Sequence, residues 1–318
     1  MGLPVTVFRS TDEGAPVVAP TKPSDWLAIF KACLVDGYGS KQPLGWTLEF
    51  EDLVNFKAVF KNDTSVGGSG GALQVQAHAA SDAEGQLVRL TAAIEITTLD
   101  TFVEKCGYRT ITTRNDSIRV GGWTLIGCGR SFYVRQEWGY QTWATTTSSY
   151  YDYMPAYWIG DMQSVVPNDQ HIFTMLSGGS NRSASVDSTL NDASENQLGG
   201  SVAAVCQLYA PDGSGVSKNY SSPHGIALGN TSSGYTADSS VLGVPMIMIP
   251  AYAWHNDPKN TVNPSYRGTF PGLYTTNFPG YWGATLPIVR AAGNDSFEAI
   301  FGRQLASYWV QTTGEWYD

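Results

Sequence analysis

A period of two residues between positions 73 and 97 constrains the fold of this chain more than any other feature. Every second residue is apolar over 73–77, and the alternation returns over 88–96 after a turn-rich stretch at 81–85. Alternation of this kind is typical of a β-strand with one buried and one solvated face. Two such runs joined by a turn predict a long antiparallel hairpin.

An amphipathic helix is predicted over residues 23–37. Ser24 is a suitable N-cap, Asp25 suits the positive end of a helix, and Gly37 is a natural C-terminal stop. Apolar residues that recur at spacings of three and four share one face of this helix: Trp26, Leu27, Phe30, Cys33 and Leu34. We expect this face to pack against a core.

Short apolar segments separated by loops rich in Gly, Ser, Asn and Pro predict further strands along the rest of the chain. These segments cover residues 123–128, 131–135, 157–160, 171–176, 201–209, 244–249, 286–289 and 305–311. The predicted fold is therefore mainly β, an antiparallel sandwich-like body with one N-terminal amphipathic helix.

A glycine-rich stretch at 62–71 separates the predicted helix from the hairpin. One division of the chain places a helix-containing N-terminal segment at 1–66 and a β-rich body at 72–318. The alternative is a single domain in which this stretch, like the polar stretch at 177–200, is an exposed loop.

Charged residues are few and unevenly distributed. They make up 15% of the 318 residues, and residues 139–258 hold 2 basic against 9 acidic side chains, a net charge of −7. Such a segment repels phosphate, which argues against nucleic acid as a partner. The most apolar run, 241–250, has ten residues and two prolines, so we expect no insertion into a membrane.

The first residues and the cysteines indicate the compartment of synthesis. The chain opens without a basic segment followed by an apolar one, so we expect no export signal. The four cysteines are far apart and are expected to be free, mostly buried thiols of a protein made in a reducing compartment.

Motifs that carry chemistry are few. Residues 67–71 match G-x-S-x-G formally, but a polar stretch precedes them where a nucleophile elbow needs a buried strand, so we interpret them as a turn. The four histidines lack a metal-binding spacing: His78, His171, His224 and His255. Residues 191–196 offer oxygen ligands for calcium without the spacing of a known calcium loop. We therefore predict no catalytic, cofactor-binding or metal-binding residue.

The densest group of aromatic residues lies between positions 138 and 158, interleaved with Thr and Ser. Its candidate contact residues are Trp138, Tyr140, Trp143, Tyr150, Tyr151 and Tyr153, and Tyr157 and Trp158 complete the group. Rings of this kind cover a β-core, form a protein interface, or stack on sugars. The sequence leaves these three interpretations open.

Several segments, in order, resemble a family of tailed-bacteriophage virion structural proteins. The opening T-V-F-R-S-T-D-E-G-A-P at 6–16, C-L-V-D-G-Y-G at 33–39 and G-W-T at 45–47 resemble that family's "VYRSTDxxAP", "CLVxGYG" and "GWT". Weaker similarity continues through 55–61, the hairpin and the turn at 98–101. It then follows 123–134, W-I-G-D at 158–161, P-N-D at 167–169, Y-R-G-T-F-P-G-L-Y at 266–274 and T-G-E-W at 313–316.

The resemblance implies a non-enzymatic component of a virion, made in the cytoplasm of a host bacterium and placed at the tail tip or baseplate. Its expected partners are other virion proteins and further copies of itself. Two alternatives stand beside this prediction: a capsid or collar decoration protein, and a carbohydrate-binding adhesin that recognises host surface glycans. An enzyme such as a cell-wall hydrolase is the remaining class, and no cofactor is expected.

Overall fold

The computed structural model describes residues 2–113, 121–137, 156–178, 204–222, 247–255, 263–276, 287–300 and 308–317. Within these residues the protein is mainly β, with a single α-helix, α1 (Pro23–Lys31), a following π-helical turn (Ala32–Asp36) and a short 3₁₀ turn (Thr64–Val66). The strands, in chain order, are β1 (Leu3–Pro4), β2 (Thr6–Arg9), β3 (Thr47–Asp52), β4 (Lys57–Lys61), β5 (Ala72–Ala77), β6 (Leu87–Thr98), β7 (Thr101–Thr112), β8 (Trp123–Gly127), β9 (Ser131–Gln136), β10 (Ala156–Asp161), β11 (Gln163–Ser164), β12 (Phe173–Gly178), β13 (Ala204–Tyr209), β14 (Ser217–Ser222), β15 (Met248–Trp254), β16 (Tyr266–Thr276), β17 (Val289–Ala292), β18 (Asp295–Ile300), β19 (Tyr308–Gln311) and β20 (Glu315–Trp316).

The described strands form one large, one medium and one small antiparallel sheet. The large sheet has the order β17-β18-β19-β16-β15-β14-β13-β12-β10-β9-β8-β2, the medium sheet the order β3-β4-β5-β6-β7, and β1 pairs with β20. This arrangement confirms the predicted fold class: mainly β, antiparallel and consistent with a sandwich, with one helix near the N-terminus.

Part of the large sheet closes on itself. Only Met162 separates β10 from β11, and β11 pairs with β16 through Gln163 and Thr269. Because β12–β15 already join β10 to β16, this pairing closes a ring of strands. One buried cluster takes side chains from β10 and from each of β12–β16, so the ring surrounds its own hydrophobic core.

A second hydrophobic core lies between the large sheet, the medium sheet and the helix. Phe30 of α1 packs against Phe60 of β4 and Phe132 of β9, with ring centroids 6.3 Å and 6.0 Å away. Trp46 contacts the same Phe132 at 5.2 Å. Residues of 1–66 and of the remaining chain therefore share this core.

The N-terminal helix follows the prediction in position and buried face but differs at its start. It begins at Pro23, so Lys22 and not Ser24 is the N-cap, and the Asp25 carboxylate accepts the Lys22 backbone N–H at 3.2 Å. The Ser24 hydroxyl instead donates to Asp82 at 2.8 Å. A proline at the first helical position has no backbone N–H that needs a partner, and its fixed φ suits a helix, so the helix begins here without a serine cap.

The helix ends in a π-helical turn that the chain downstream completes. The Gly37 backbone N–H donates to the Ala32 carbonyl at 2.8 Å and not to the Cys33 carbonyl, as it would in an α-helix. The Cys33 carbonyl accepts the Leu44 backbone N–H at 2.9 Å. The Leu34 carbonyl accepts the Trp46 backbone N–H at 3.0 Å. A segment outside the helix therefore satisfies carbonyls that a helix end leaves unpaired.

The predicted hairpin is present as β5 and β6, paired from Ala72 with Ala93 to Ala77 with Val88. The face of this hairpin that was predicted to be solvated is partly buried. Gln74 is fully buried and its amide group exchanges two hydrogen bonds with Asp100, both of 2.8 Å.

The predicted strands agree with the structure best in short apolar segments bounded by turns, and β7 and β16 lie outside the predicted segments. Strands β8 and β9 agree with their predicted ranges to within one residue. The long strand β7 was missed because register shifts break its pairing with β6. In β16, Pro271 and Gly272 interrupt the alternation.

Candidate functional site

The six candidate aromatic residues lie outside the described residues, so their predicted role stays a prediction: Trp138, Tyr140, Trp143, Tyr150, Tyr151 and Tyr153. The same holds for the stretch at 177–200 beyond Gly178, for the oxygen-rich residues 191–196 and for His224. Tyr157 and Trp158, at the end of the aromatic group, are described and fully buried. The Tyr157 hydroxyl donates to the Thr110 carbonyl at 2.6 Å, and the Trp158 indole N–H to the Pro271 carbonyl at 3.0 Å.

The glycine-rich stretch 67–71 is a turn between a 3₁₀ turn and β5, as the sequence indicated. Ser69 makes two hydrogen bonds to one carboxylate. Its backbone N–H and its hydroxyl both donate to the Asp161 carboxylate, at 2.8 Å and 2.5 Å. The loop is thereby attached to the end of β10.

Asp161 is the centre of a buried polar cluster. Its side chain is fully buried, and Arg130 lies 3.5 Å from the carboxylate. The Tyr317 hydroxyl donates to the Asp161 backbone carbonyl. Burial raises the pKa of the Asp161 carboxyl, although the hydrogen bonds from Ser69 and the charge of Arg130 oppose that rise.

A second buried cluster joins Asp169 to Arg267. The guanidinium donates to both carboxylate oxygens, Nε at 2.7 Å and Nη2 at 2.8 Å, and the two side chains are 1% exposed or less. The Ser164 hydroxyl adds a hydrogen bond of 2.6 Å to Asp169. Arg267 also donates to the Tyr209 carbonyl at 2.9 Å. The pair therefore holds the chain after β11 against β16 and β13, where the ring closes.

A third buried cluster spans the large sheet. Glu298 of β18 is fully buried and bonds Arg9 of β2 and Arg135 of β9, the latter at 2.7 Å. These strands lie near opposite ends of the sheet order. Arg135 also donates to Glu137 at 2.9 Å. Burial would raise the pKa of the Glu137 carboxyl, but the charge of Arg135 and a hydrogen bond from Thr124 more than offset it, so this pKa lies below its ordinary value.

Each described histidine has a different partner. His78 accepts a hydrogen bond from Arg89 at 3.2 Å, and burial next to this cation lowers the pKa of His78. His171 pairs with Glu104, and His255 donates to the Asn263 carbonyl at 3.1 Å. Among the described residues, His, Cys, Asp and Glu side chains nowhere gather in a set that could hold a metal ion.

All four cysteines are buried and free, as expected. Burial raises the pKa of the Cys206 thiol to about 12. A thiol with such a pKa stays protonated and is a poor nucleophile at neutral pH. The cysteines therefore act as small apolar residues of the two cores.

Residues in the segments on which the resemblance rests take part in several of these buried contacts. The residues concerned are Arg9, Trp46, Arg130, Asp161, Asp169, Arg267 and Trp316. Trp316 packs so tightly on β16 that a Cβ at Gly272, whose φ is 77°, would lie 1.9 Å from its ring. These segments are distant in sequence and adjacent in the fold.

An exposed aromatic strip lies on the outside of the ring of strands. It consists of Tyr252 and Trp254 of β15 and Tyr266 of β16, and the last two are 40% and 42% exposed. Trp254 and Tyr266 are cross-strand partners. The strip lies beyond the strand predicted at 244–249, although a period-two signal is present, since Ala251 and Ala253 alternate with Tyr252 and Trp254.

A pocket of about 120 Å³ adjoins the strip. Its wall includes Gln163 and Thr269, which pair across β11 and β16, and Thr269 also pairs with Tyr252. The far wall is formed by Tyr274, Gln311 and Glu315 among others. Thr269 therefore places the pocket beside Tyr252 of the strip.

A scan of the chain against known protein families finds no match, and a search of curated proteins finds none either. In the part of the chain that the structure describes, there is no helix with the length and hydrophobicity needed to cross a membrane.

Proposed function

We propose that this protein is a non-enzymatic structural component of a tailed-phage virion, placed at the tail tip or baseplate. The observation that carries the proposal is the position of the residues in the segments that resemble phage structural proteins. Arg9, Asp161, Asp169 and Arg267 tie distant strands together inside the fold. Motif residues that hold distant strands together preserve the shape of the fold, as a building block of a particle requires.

Composition supports the same proposal. With 15% charged residues and 12% aromatic residues, this chain has fewer ionic groups to cover its surface than a typical free globular protein. Permanent interfaces exclude charge and favour aromatic side chains. We therefore propose that the protein works as a homo-oligomer in contact with other virion proteins, and that Trp143 and Tyr151 belong to such an interface.

Labelled antibodies locate the protein in purified phage particles. We expect gold-labelled antibodies raised against the isolated protein to mark one end of the tail in electron micrographs. Label on the head or the neck assigns the protein to the capsid or collar instead. Purified particles that contain none of the protein would contradict a virion role.

Variants test the proposed interface in particles that are otherwise complete. Alanine at Trp143 and Tyr151 is expected to prevent incorporation of the protein, because interface rings contribute much of the binding energy. Phenylalanine at Tyr151 keeps the ring and is the matched control. Normal incorporation of the alanine variants would show that these residues do not contact a neighbouring subunit.

A further inference from the structure

Two exposed aromatic side chains, Trp254 and Tyr266, and the half-buried Tyr252 lie on the outside of the ring of strands, where a sheet in contact with water normally presents polar side chains. Ala251 and Ala253 are fully buried, so alternation along β15 directs Tyr252 and Trp254 outward. The rings of Tyr252 and Tyr266 lie 5.8 Å apart at an angle of 56°. Backbone pairing with β16 holds these residues in place, so the strip is formed before any ligand arrives.

The adjoining pocket provides hydrogen-bonding groups. Gln163 and Glu315 are exposed at its wall, while the Tyr274 hydroxyl donates to Gln311 at 3.3 Å. Its volume of about 120 Å³ is below the roughly 300 Å³ at which sites for drug-sized ligands begin. The pocket therefore suits one small polar ring.

The charge of the surface limits the class of ligand. Among the described residues that line the pocket or form the strip, none is basic, and Glu315 is acidic. The nearby Arg267 is buried and occupied by Asp169. An anionic ligand would meet repulsion without a compensating cation, whereas uncharged hydroxyl groups can donate to a carboxylate and exchange hydrogen bonds with amides.

We propose that this surface binds an uncharged oligosaccharide. One sugar ring occupies the pocket, where its hydroxyls bond Glu315, and the next sugar rings lie on Tyr252, Trp254 and Tyr266. Sugars combine apolar C–H faces with hydroxyl rims, and the surface matches both, because aromatic faces lie beside a polar pocket. This inference concerns the protein by itself and does not rest on its place in a virion.

Saturation-transfer NMR on the full chain tests the proposal with a panel of hexasaccharides of glucose, mannose, galactose and N-acetylglucosamine. We expect transfer to at least one of these, and none to a heparin hexasaccharide, which is anionic. Trp254→Ala and Tyr266→Ala should weaken binding at least tenfold, since each removes one stacking face. Leu53→Ala, at a 69% exposed position in the turn between β3 and β4, is the control and should bind as the unchanged protein does.

Glu315→Gln tests the pocket separately. It keeps the experiment decisive if Trp254→Ala or Tyr266→Ala lowers the melting temperature of the protein. This substitution removes one charged acceptor at an exposed position and should weaken binding while the melting temperature stays unchanged. Failure of every neutral hexasaccharide to bind would overturn the proposal. Equal affinity of the Leu53→Ala control and the Trp254→Ala and Tyr266→Ala variants would do the same. Loss of particle incorporation by Trp254→Ala, without sugar binding, would assign the strip to a protein neighbour instead.

Discussion

Glu137 and Arg135 show how this protein keeps ionised groups inside. Arg135 bonds both Glu137 and Glu298 while its own side chain is 6% exposed. Burial of a charge is costly unless partners compensate it. Here the compensation raises the pKa of Arg135 and lowers that of Glu137, so the cluster stays charged near neutral pH.

Glu137→Gln is expected to reduce the free energy of unfolding at neutral pH by about 1.5–3 kcal/mol, the usual contribution of hydrogen bonds to a charged group. The loss depends on pH. The pKa of this carboxyl is lower in the folded than in the unfolded state, where it is near 4.5, so its contribution is complete above 4.5 and disappears as the pH falls through the folded pKa.

Urea unfolding of both proteins between pH 3 and pH 7 measures this difference. The two stability curves should converge on the acidic side, because the protonated carboxyl has lost its charge. Parallel curves over the whole range would show that Glu137 contributes nothing through its charge.

Among the elements, α1 has the clearest division between a buried and an exposed face. Trp26, Ile29 and Phe30 are fully buried, whereas Ala28 is exposed. Leu27, which spacing placed on the buried face, is only half-buried, and Ile29 was missed. Side chains of both sheets, Phe60 and Phe132, pack on this helix, so its contact surface is wider than one stripe.

Phe30→Asp should lower the free energy of unfolding by several kcal/mol. It removes a ring packed against Phe60 and Phe132 and leaves an unpaired carboxylate in the core. Ala28→Asp places the same carboxylate at the exposed position of the same helix and should cost under about 1 kcal/mol. Thermal unfolding followed by circular dichroism compares the two, and similar melting temperatures would contradict the described packing.

For the whole molecule, closure of the strand ring is the decisive arrangement. The ring closes where β11 meets β16, and Asp169 with Arg267 forms a fully buried ion pair beside that contact. Because the pair joins segments about a hundred positions apart in sequence, we expect it to form late and to respond strongly to the loss of one partner.

Arg267→Met is expected to lower the free energy of unfolding by about 3–5 kcal/mol, since it leaves the Asp169 carboxylate buried without its cation. Arg290→Met changes an exposed arginine of β17 in the same way and should stay within about 0.5 kcal/mol of the unchanged protein. Denaturant unfolding measures both variants. Equal stability of the two would mean that ring closure does not depend on this pair.

The sequence alone determined the features that depend on neighbours along the chain. The hairpin of β5 and β6 and the helix near residue 23 follow from periods of two and 3.6 residues, because side-chain direction repeats with the backbone. The strands β8 and β9 and the mainly β class follow from short apolar segments between loops. The glycine content of residues 67–71 and the polar stretch before them predicted a turn there.

Only the tertiary structure decided which residues meet. The pairing of Asp161 with Ser69, of Asp169 with Arg267 and of Glu298 with Arg9 joins positions separated by 92, 98 and 289 residues, and no local period records such a distance. Bulges in β7 and β16 shift the alternation that would reveal them. The aromatic strip became a surface only because closure of the ring turned one face of β15 inward and left the other exposed to solvent.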